Sequence, residues 1–241
     1  MKTLTILITA FLLLIVTIIF AGCKKYNDQK KTCRITTADF PLTGAVYKLS
    51  YNSNGQLSSV TIGDTVTTYT YAANTIIATS FASGKFSRKS IITLNAEGMA
   101  SNVRTEIDLT GNNWHNKAYE YNGTELIKST LTLSAGTTSI VATYTWLNGN
   151  MVSVISGSVT NTFDYYPDKV SQGGPAFNQS PFLVYQLIQG YEIYRTKNLL
   201  KSIDGETFAY DFRPDGNISS VRNISGNASS TIVKYQYQCE K

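Results

Sequence analysis

One repeated pattern limits the folds open to this chain more than any other feature. The segments "LSYNSNGQLSSVTI" (49–62), "ITLNAEGMASNVRT" (92–105), "YTWLNGNMVSVIS" (144–156) and "YDFRPDGNISSVRN" (210–223) align on an aromatic residue or leucine, then a glycine-bearing turn, then two apolar residues three apart. "YEYNGTELIKS" (119–129) is a fifth copy with a shorter turn. Each unit reads as a strand, a tight turn and a returning strand, because glycine reaches the positive φ that hairpin turns demand. Between Cys33 and Lys169, alternating runs are broken every 8 to 12 residues by Gly, Asn, Asp or Ser, the spacing of an all-β meander. In "AVYKLSYN", Ala45, Tyr47, Leu49 and Tyr51 share one face, while Val46, Lys48 and Ser50 share the other. "TIVKYQYQC" likewise sets Val233, Tyr235, Tyr237 and Cys239 against Ile232, Lys234, Gln236 and Gln238. One side is aromatic and the other wet.

Composition supports the same class. Only 15% of residues are charged, whereas Tyr alone has 16 copies, and β-branched and aromatic side chains suit a pleated, half-buried surface. The expected fold is an antiparallel, up-and-down, barrel-like meander of about 14 strands in a single domain, residues 33–241. One segment breaks the rhythm. In "NQSPFLVYQLIQG", Ser180 stands as N-cap, Pro181 opens the helix and Gly190 follows its end, so a short helix is expected at 181–189. Apolar on nearly every side, it would be buried as a plug or cap; a buried strand is the alternative.

The first repeat, extended to "YNSNGQLSSVTIGDTVTTYTY", resembles the tyrosine-rich YD repeat of Rhs-type bacterial shells, with Asn52 in place of the usual Asp and Gln56 in place of the common Arg. The chain is also similar to small Bacteroidetes lipoproteins of uncharacterised function whose domain has a porin-like fold. In that group a hydrophobic segment precedes an "SKN"-like motif and a final repeat; here "TKNLLKSI" (196–203) precedes "YDFRPDGNISSV". These motifs are structural, and the resemblance implies a fold more than an activity.

The N-terminus carries an address. Lys2, an apolar run from Leu4 to Phe20 and the small pair Ala21 and Gly22 make residues 1–22 a secretory signal peptide. "FAGC" resembles the lipobox of bacterial lipoproteins, with Phe20 where Leu is usual. That resemblance implies cleavage before Cys23, a lipid on its thiol, and membrane attachment through that lipid. A retained membrane helix and a plainly cleaved peptide are the alternatives, since the apolar run is long enough to span a bilayer. Lys24, where an inner-membrane retention signal would place Asp, implies the outer membrane, on its periplasmic or cell-surface face. Residues 23–32 then form a polar tether that reaches up to ~30 Å. With Cys23 acylated, Cys33 and Cys239 remain, and they are expected to form a disulfide between the first and last strands, worth ~5 kcal/mol by chain entropy. Two unpaired buried thiols are the alternative.

Several function classes are excluded or disfavoured. Without Lys2 the chain has 20 basic and 16 acidic residues, a balance of +4, and Lys24, Lys25, Lys30 and Lys31 sit in the tether. A folded part so nearly neutral has no basic stripe for nucleic acid. His115 is the one histidine; with no clustered His or Cys motif, neither a metal site nor another cofactor is expected. No G-x-S-x-G surrounds a serine, and "SQGGPAF" lacks the lysine of a phosphate loop. Glu106 with Asp108, and Glu120 with Glu125, are the carboxylate pairs available for glycosidase-type chemistry, and both read as solvated faces. The chain is therefore expected not to be an enzyme. Aromatic residues favour binding, with Trp114 the candidate for exposure and Trp146 in the aromatic position of its repeat. The expectation is an envelope lipoprotein whose barrel binds an apolar or glycan-like ligand. A structural or interaction protein without a small ligand, and a porin-like transmembrane barrel, are the alternatives.

Overall fold

The computed structural model describes residues 33–136, 139–172, 190–226 and 228–239. The chain divides into residues 34–238 and a small terminal unit, 1–33 with 239–241. Within the terminal unit, Cys33 and Cys239 are joined by a disulfide across 206 positions of sequence. The expected signal peptide 1–22, the tether 23–32 and the helix at 181–189 lie outside the described residues.

Among the described residues the regular elements are sixteen strands: β1 (Cys33–Phe40), β2 (Ala45–Tyr51), β3 (Leu57–Ile62), β4 (Thr65–Ala72), β5 (Thr75–Ala82), β6 (Lys85–Leu94), β7 (Ala100–Glu106), β8 (Trp114–Asn122), β9 (Glu125–Leu133), β10 (Ser139–Leu147), β11 (Asn150–Ser156), β12 (Val159–Val170), β13 (Asn198–Ile203), β14 (Glu206–Phe212), β15 (Ile218–Ser225) and β16 (Ala228–Cys239). Each lies beside its neighbours in sequence, and β1 lies beside β16, so the meander closes into an antiparallel barrel. The all-β meander is as the sequence implies, but the count of about 14 is corrected to sixteen. Several odd-numbered strands bury residues three apart, which hides the two-residue alternation by which strands are counted.

That three-residue spacing has a single cause. The register slips by one residue in the hairpins β2–β3, β6–β7, β8–β9, β10–β11, β12–β13 and β14–β15. Tyr51 faces Leu57 while Ser50 faces Ser59, which leaves Ser58 as the extra residue of a β-bulge. Ser101, Ile127, Val152, Lys201 and Ser219 are extra in the same way. A bulge puts two residues opposite one and bends the strand. Leu57 and Val60, or Ile218 and Val221, can then both face the core. The hairpin β4–β5 has no slip, and β5 keeps simple alternation with Ile76, Ala78 and Ser80 buried.

A bulge also leaves a main-chain carbonyl without its ladder partner, and a buried carbonyl needs a donor. Aromatic residues near the ends of the next even-numbered strands supply it. The hydroxyls of Tyr71, Tyr121, Tyr165, Tyr210 and Tyr237 donate to the carbonyls of Leu57, Ala100, Met151, Leu200 and Ile218 over 2.6–2.8 Å. Trp146 Nε1 donates to Leu126 at 2.7 Å, and Tyr51 reaches Ile35 at 2.7 Å. All six of these bulged odd-numbered strands are latched in this way; slips in β5–β6 and β15–β16 put further extra residues, Ser87 and Ile232, on even-numbered strands. The unbulged β5 is followed by β6, whose corresponding residue is Leu94. At Leu94, Tyr121 and Trp146 the "aromatic residue or leucine" of the repeat follows whether the preceding odd-numbered strand is bulged, whereas Tyr51 latches β1, whose pairing with β2 shows no slip.

These latches gather at the barrel end that holds the glycine turns of the long repeats, here termed the repeat rim. Three of those turns share one geometry, in which Gly55, Gly98 and Gly216 donate to Asn52, Asn95 and Arg213, which donate in turn to Gln56, Met99 and Asn217. Asn52 Oδ1 accepts from the main chain of Asn54 and Gln56, and Asn95 Oδ1 from Glu97 and Met99, so an Asx side chain at this position organises its own loop. Residues 190–197 run across this rim. Ala100 N donates to Glu192 O at 2.8 Å, the Tyr121 hydroxyl also donates to Ile193 O at 2.9 Å, and Lys197 N donates to Gly149 O at 2.8 Å. Gly190 is required here, because a Cβ would stand 2.9 Å from the Tyr69 ring. In the "TKN" motif, Asn198 Nδ2 donates to the carbonyls of Pro167 and Lys169, and Thr196 Oγ1 donates to Asn198 O. The motif is a main-chain staple between β12 and β13.

Candidate functional site

Residues directly opposite each other share a face, so the pairings separate the inner and outer walls. Lys89 faces Glu106, and Glu106 faces Trp114; Glu120 faces Lys128. These belong to the outer wall, along with Lys48, Thr68, Thr70 and Lys234, which are exposed. Ion pairs cross it between neighbouring strands, at 3.7 Å for Lys89–Glu106, 2.8 Å for Lys128–Glu120 and 2.9 Å for Arg222–Asp211. The inner wall is apolar and continuous, with Ile35, Leu49, Val60, Ile92, Leu126, Phe208, Ile218 and Val233 in one buried cluster. The apolar inner wall is unlike the polar interior of a membrane-spanning barrel, while the outer wall mixes these charged and polar groups with exposed Val46, Val66, Phe81, Ile127, Val141 and Ile155.

The inner wall is not filled everywhere. A cavity of about 520 Å³ lies against β8–β14, within the 300–1,000 Å³ usual for small-molecule sites. Tyr119, Leu126, Tyr144, Met151, Val154, Phe163 and Ile203 wall it, and Ile193 and Tyr194 from the crossing segment form its floor. Its polar lining is Lys117, Asn161, Asp204 and Glu206. Asp204 belongs to the turn between β13 and β14, so the cavity reaches the end opposite the repeat rim, here termed the open rim. Leu133, Ile140 and Val159 stand near it, 46%, 53% and 58% exposed. Leu133 pairs with His115 and Ile140 with Leu131, and these inner-facing residues make the mouth apolar.

The charged groups here differ in how they are satisfied. Asp204 accepts from Asn161 Nδ2 at 2.5 Å, Thr162 N at 2.7 Å and Thr162 Oγ1 at 3.1 Å, and these bonds, led by that from Asn161, hold its carboxyl below the usual range. Glu206 accepts from Asn223 Nδ2. Lys117 faces Val103 and Leu131, with its ammonium 5.5 Å from the Tyr119 ring centre. Burial pushes its pKa down, and no hydrogen-bond or ion-pair partner reaches it among the described residues. His115 lies two positions away on the same face, its pKa lowered by burial and then by Arg88 and Lys117.

The residues singled out from sequence are dispersed. Trp114 is on the outer wall under the Arg104 guanidinium, 4.7 Å from the ring centre. Trp146 is latched to Leu126 and packs edge-on against Tyr194 at 6.4 Å, beside the cavity without lining it. Glu106 pairs with Lys89 and Arg104. Asp108 accepts from the main chain of Asn112 and Asn113 and from Thr110, so it holds its own turn. Glu120 pairs with Lys128, and Glu125 faces Asn122 at a hairpin. The carboxylate pairs are thus distributed among outer-wall and turn positions. Lys117 was not singled out, although "WHNKAYEY" contained the signal. Residues 115, 117, 119 and 121 fall on one face, and a lysine there shares it with two tyrosines.

No protein-family model and no curated protein matches the chain. Among solved structures, a porin-like protein from Bacteroides uniformis ATCC 8492 is similar over 86% of this chain and 98% of its own, with 18% identity and a TM-score of 0.60. A porin-like protein from Bacteroides vulgatus ATCC 8482 is similar over 85% and 98%, with 13% identity and a TM-score of 0.58. At such identities the likeness concerns the fold, a closed porin-like β-barrel.

Proposed function

We propose that this protein is a non-enzymatic envelope lipoprotein, held at the outer membrane by a lipid on Cys23, whose porin-like barrel binds an apolar ligand in its lumen. The observation that carries this reading is the cavity of about 520 Å³, walled by aromatic and aliphatic side chains and opening beside Leu133, Ile140 and Val159. Apolar walls with a few polar groups are the usual make-up of a small-molecule site. A glycan would have to leave most of its hydroxyls against Leu126, Met151, Val154 and Phe163, and unmade hydrogen bonds are costly. The transmembrane reading draws on the fold of the structural neighbours, but it would place Lys48, Lys128 and Lys234 against lipid. The test is equilibrium binding of radiolabelled dodecanol, a neutral apolar probe, to the full chain in lipid nanodiscs against empty discs. One probe per protein is expected, lost when Val154→Trp fills the cavity. Uptake no greater than in empty discs would end this reading.

A further inference from the structure

Among the described residues, Lys117 is the charged group of the cavity that no hydrogen bond or ion pair satisfies. Asp204 and Glu206, at its open-rim end, already accept hydrogen bonds from Asn161, Thr162 and Asn223. Lys117 lines the same space with Val103 and Leu131 as its cross-strand neighbours. A half-buried ammonium loses hydration, and the Tyr119 ring face at 5.5 Å returns only part of it; an anion entering the cavity would supply the acceptor that the described residues do not. Arg88 and Lys117 each lie near enough to His115 to disfavour its protonation. The β6–β8 side of the inner wall is therefore electropositive, and an apolar chamber adjoins it.

We propose that the ligand is an anionic amphiphile, a single acyl chain ending in a carboxylate, with the chain in the Tyr119–Leu126–Met151–Phe163 chamber and the head group paired with Lys117. This deepens the proposed function and rests on it. Tyr194 and Ile193 close the floor, so the chain end lies toward the repeat rim and the carboxylate toward the open rim. A fully esterified lipid brings no anion for Lys117, and a zwitterionic one brings a cation whose nearest carboxylates, Asp204 and Glu206, are already held by Asn161, Thr162 and Asn223.

The test compares dodecanoate with dodecanol, which have chains of the same length and differ in head group. Both are measured on the full chain in nanodiscs, for the wild type, Lys117→Met and Lys117→Arg. The wild type is expected to bind dodecanoate at least about tenfold more tightly, because a hydrogen bond between two charged groups in a partly dry site is stronger than one to a neutral hydroxyl. Lys117→Met should erase that preference, so that the two probes bind alike, and Lys117→Arg should keep it. Equal binding of the two probes by the wild type, or a preference that survives Lys117→Met, would overturn the head-group assignment and leave the apolar cavity standing. Absence of dodecanol binding would instead remove the reading beneath it.

Discussion

The two rims of the barrel are built on opposite principles. At the repeat rim, six bulged strands turn paired apolar residues inward, aromatic latches satisfy the carbonyls those bulges release, and residues 190–197 cross the opening. At the open rim the turns are mostly tight, as at residues 63–64, 83–84, 157–158 and 204–205. Exposed Val46, Val66, Phe81, Leu133, Ile140 and Val159 lie near it. Among the described residues, one end concentrates packing and hydrogen bonding and the segment 190–197 crosses that end alone, an asymmetry that under the proposed function favours retention of a ligand over its passage.

The largest effect expected from this asymmetry is alkaline unfolding. Burial raises the phenols of Tyr51 and Tyr71 to about 12 and pushes those of Tyr121, Tyr165, Tyr210 and Tyr237 up as well. A group whose folded pKa is raised contributes stability that is complete below its unfolded value of 10.0 and is lost as pH climbs through the folded value. Far-ultraviolet circular dichroism and tyrosinate absorbance should therefore change together in one steep transition above pH 10, as the latches fail jointly. Phenols that ionise gradually, well before the sheet unfolds, would show that the rim does not act as a unit.

Truncation should discriminate the rims next. Leu126 is 1% exposed and begins a bulge, so Leu126→Ala should cost about 2–5 kcal/mol in denaturant melts, while Ile140→Ala at the open rim should stay within about 0.5 kcal/mol. Gly190→Ala, which drives a Cβ into the Tyr69 ring at positive φ, should cost about 3 kcal/mol. Gly84→Ala has the same sign of φ but no atom within 4 Å of its Cβ, and should cost about 1 kcal/mol.

The smallest effects test the latch itself. Tyr121→Phe removes the single hydroxyl donor shared by the carbonyls of Ala100 and Ile193 and should cost about 1–2 kcal/mol. Leu94→Tyr should bring no gain, because β5 has no bulge and so releases no carbonyl. Stabilisation by Leu94→Tyr would mean that the aromatic positions pack rather than latch.

Much of this architecture was legible in the repeat. The glycine turns, the aromatic face of "AVYKLSY" and the meander follow from alternation and turn chemistry, which act over a few residues. The bulges were visible only as "two apolar residues three apart". Reading that spacing as a bulge requires knowing which strand lies opposite, and this long-range pairing also set the true strand count. The cavity was less legible still, since it is a gap between side chains of seven strands and the floor residues Ile193 and Tyr194. Trp114 and Trp146 drew attention by residue type, whereas Lys117 matters by position, as a lysine on an aromatic face.

The central claim is that water bathes the outer wall and is kept from the inner one. Single-cysteine variants of the full chain report this directly through their reaction with a membrane-impermeant maleimide, measured over the background of the unsubstituted protein. Thr68 is exposed on the outer face of β4, and Val103 is 6% exposed on the inner face of β7. The account predicts rapid labelling of Thr68→Cys and protection of Val103→Cys in the native protein, with both labelled after denaturation. Protection of Thr68→Cys by lipid, with free labelling of Val103→Cys from an aqueous lumen, would contradict it and make the barrel a membrane pore.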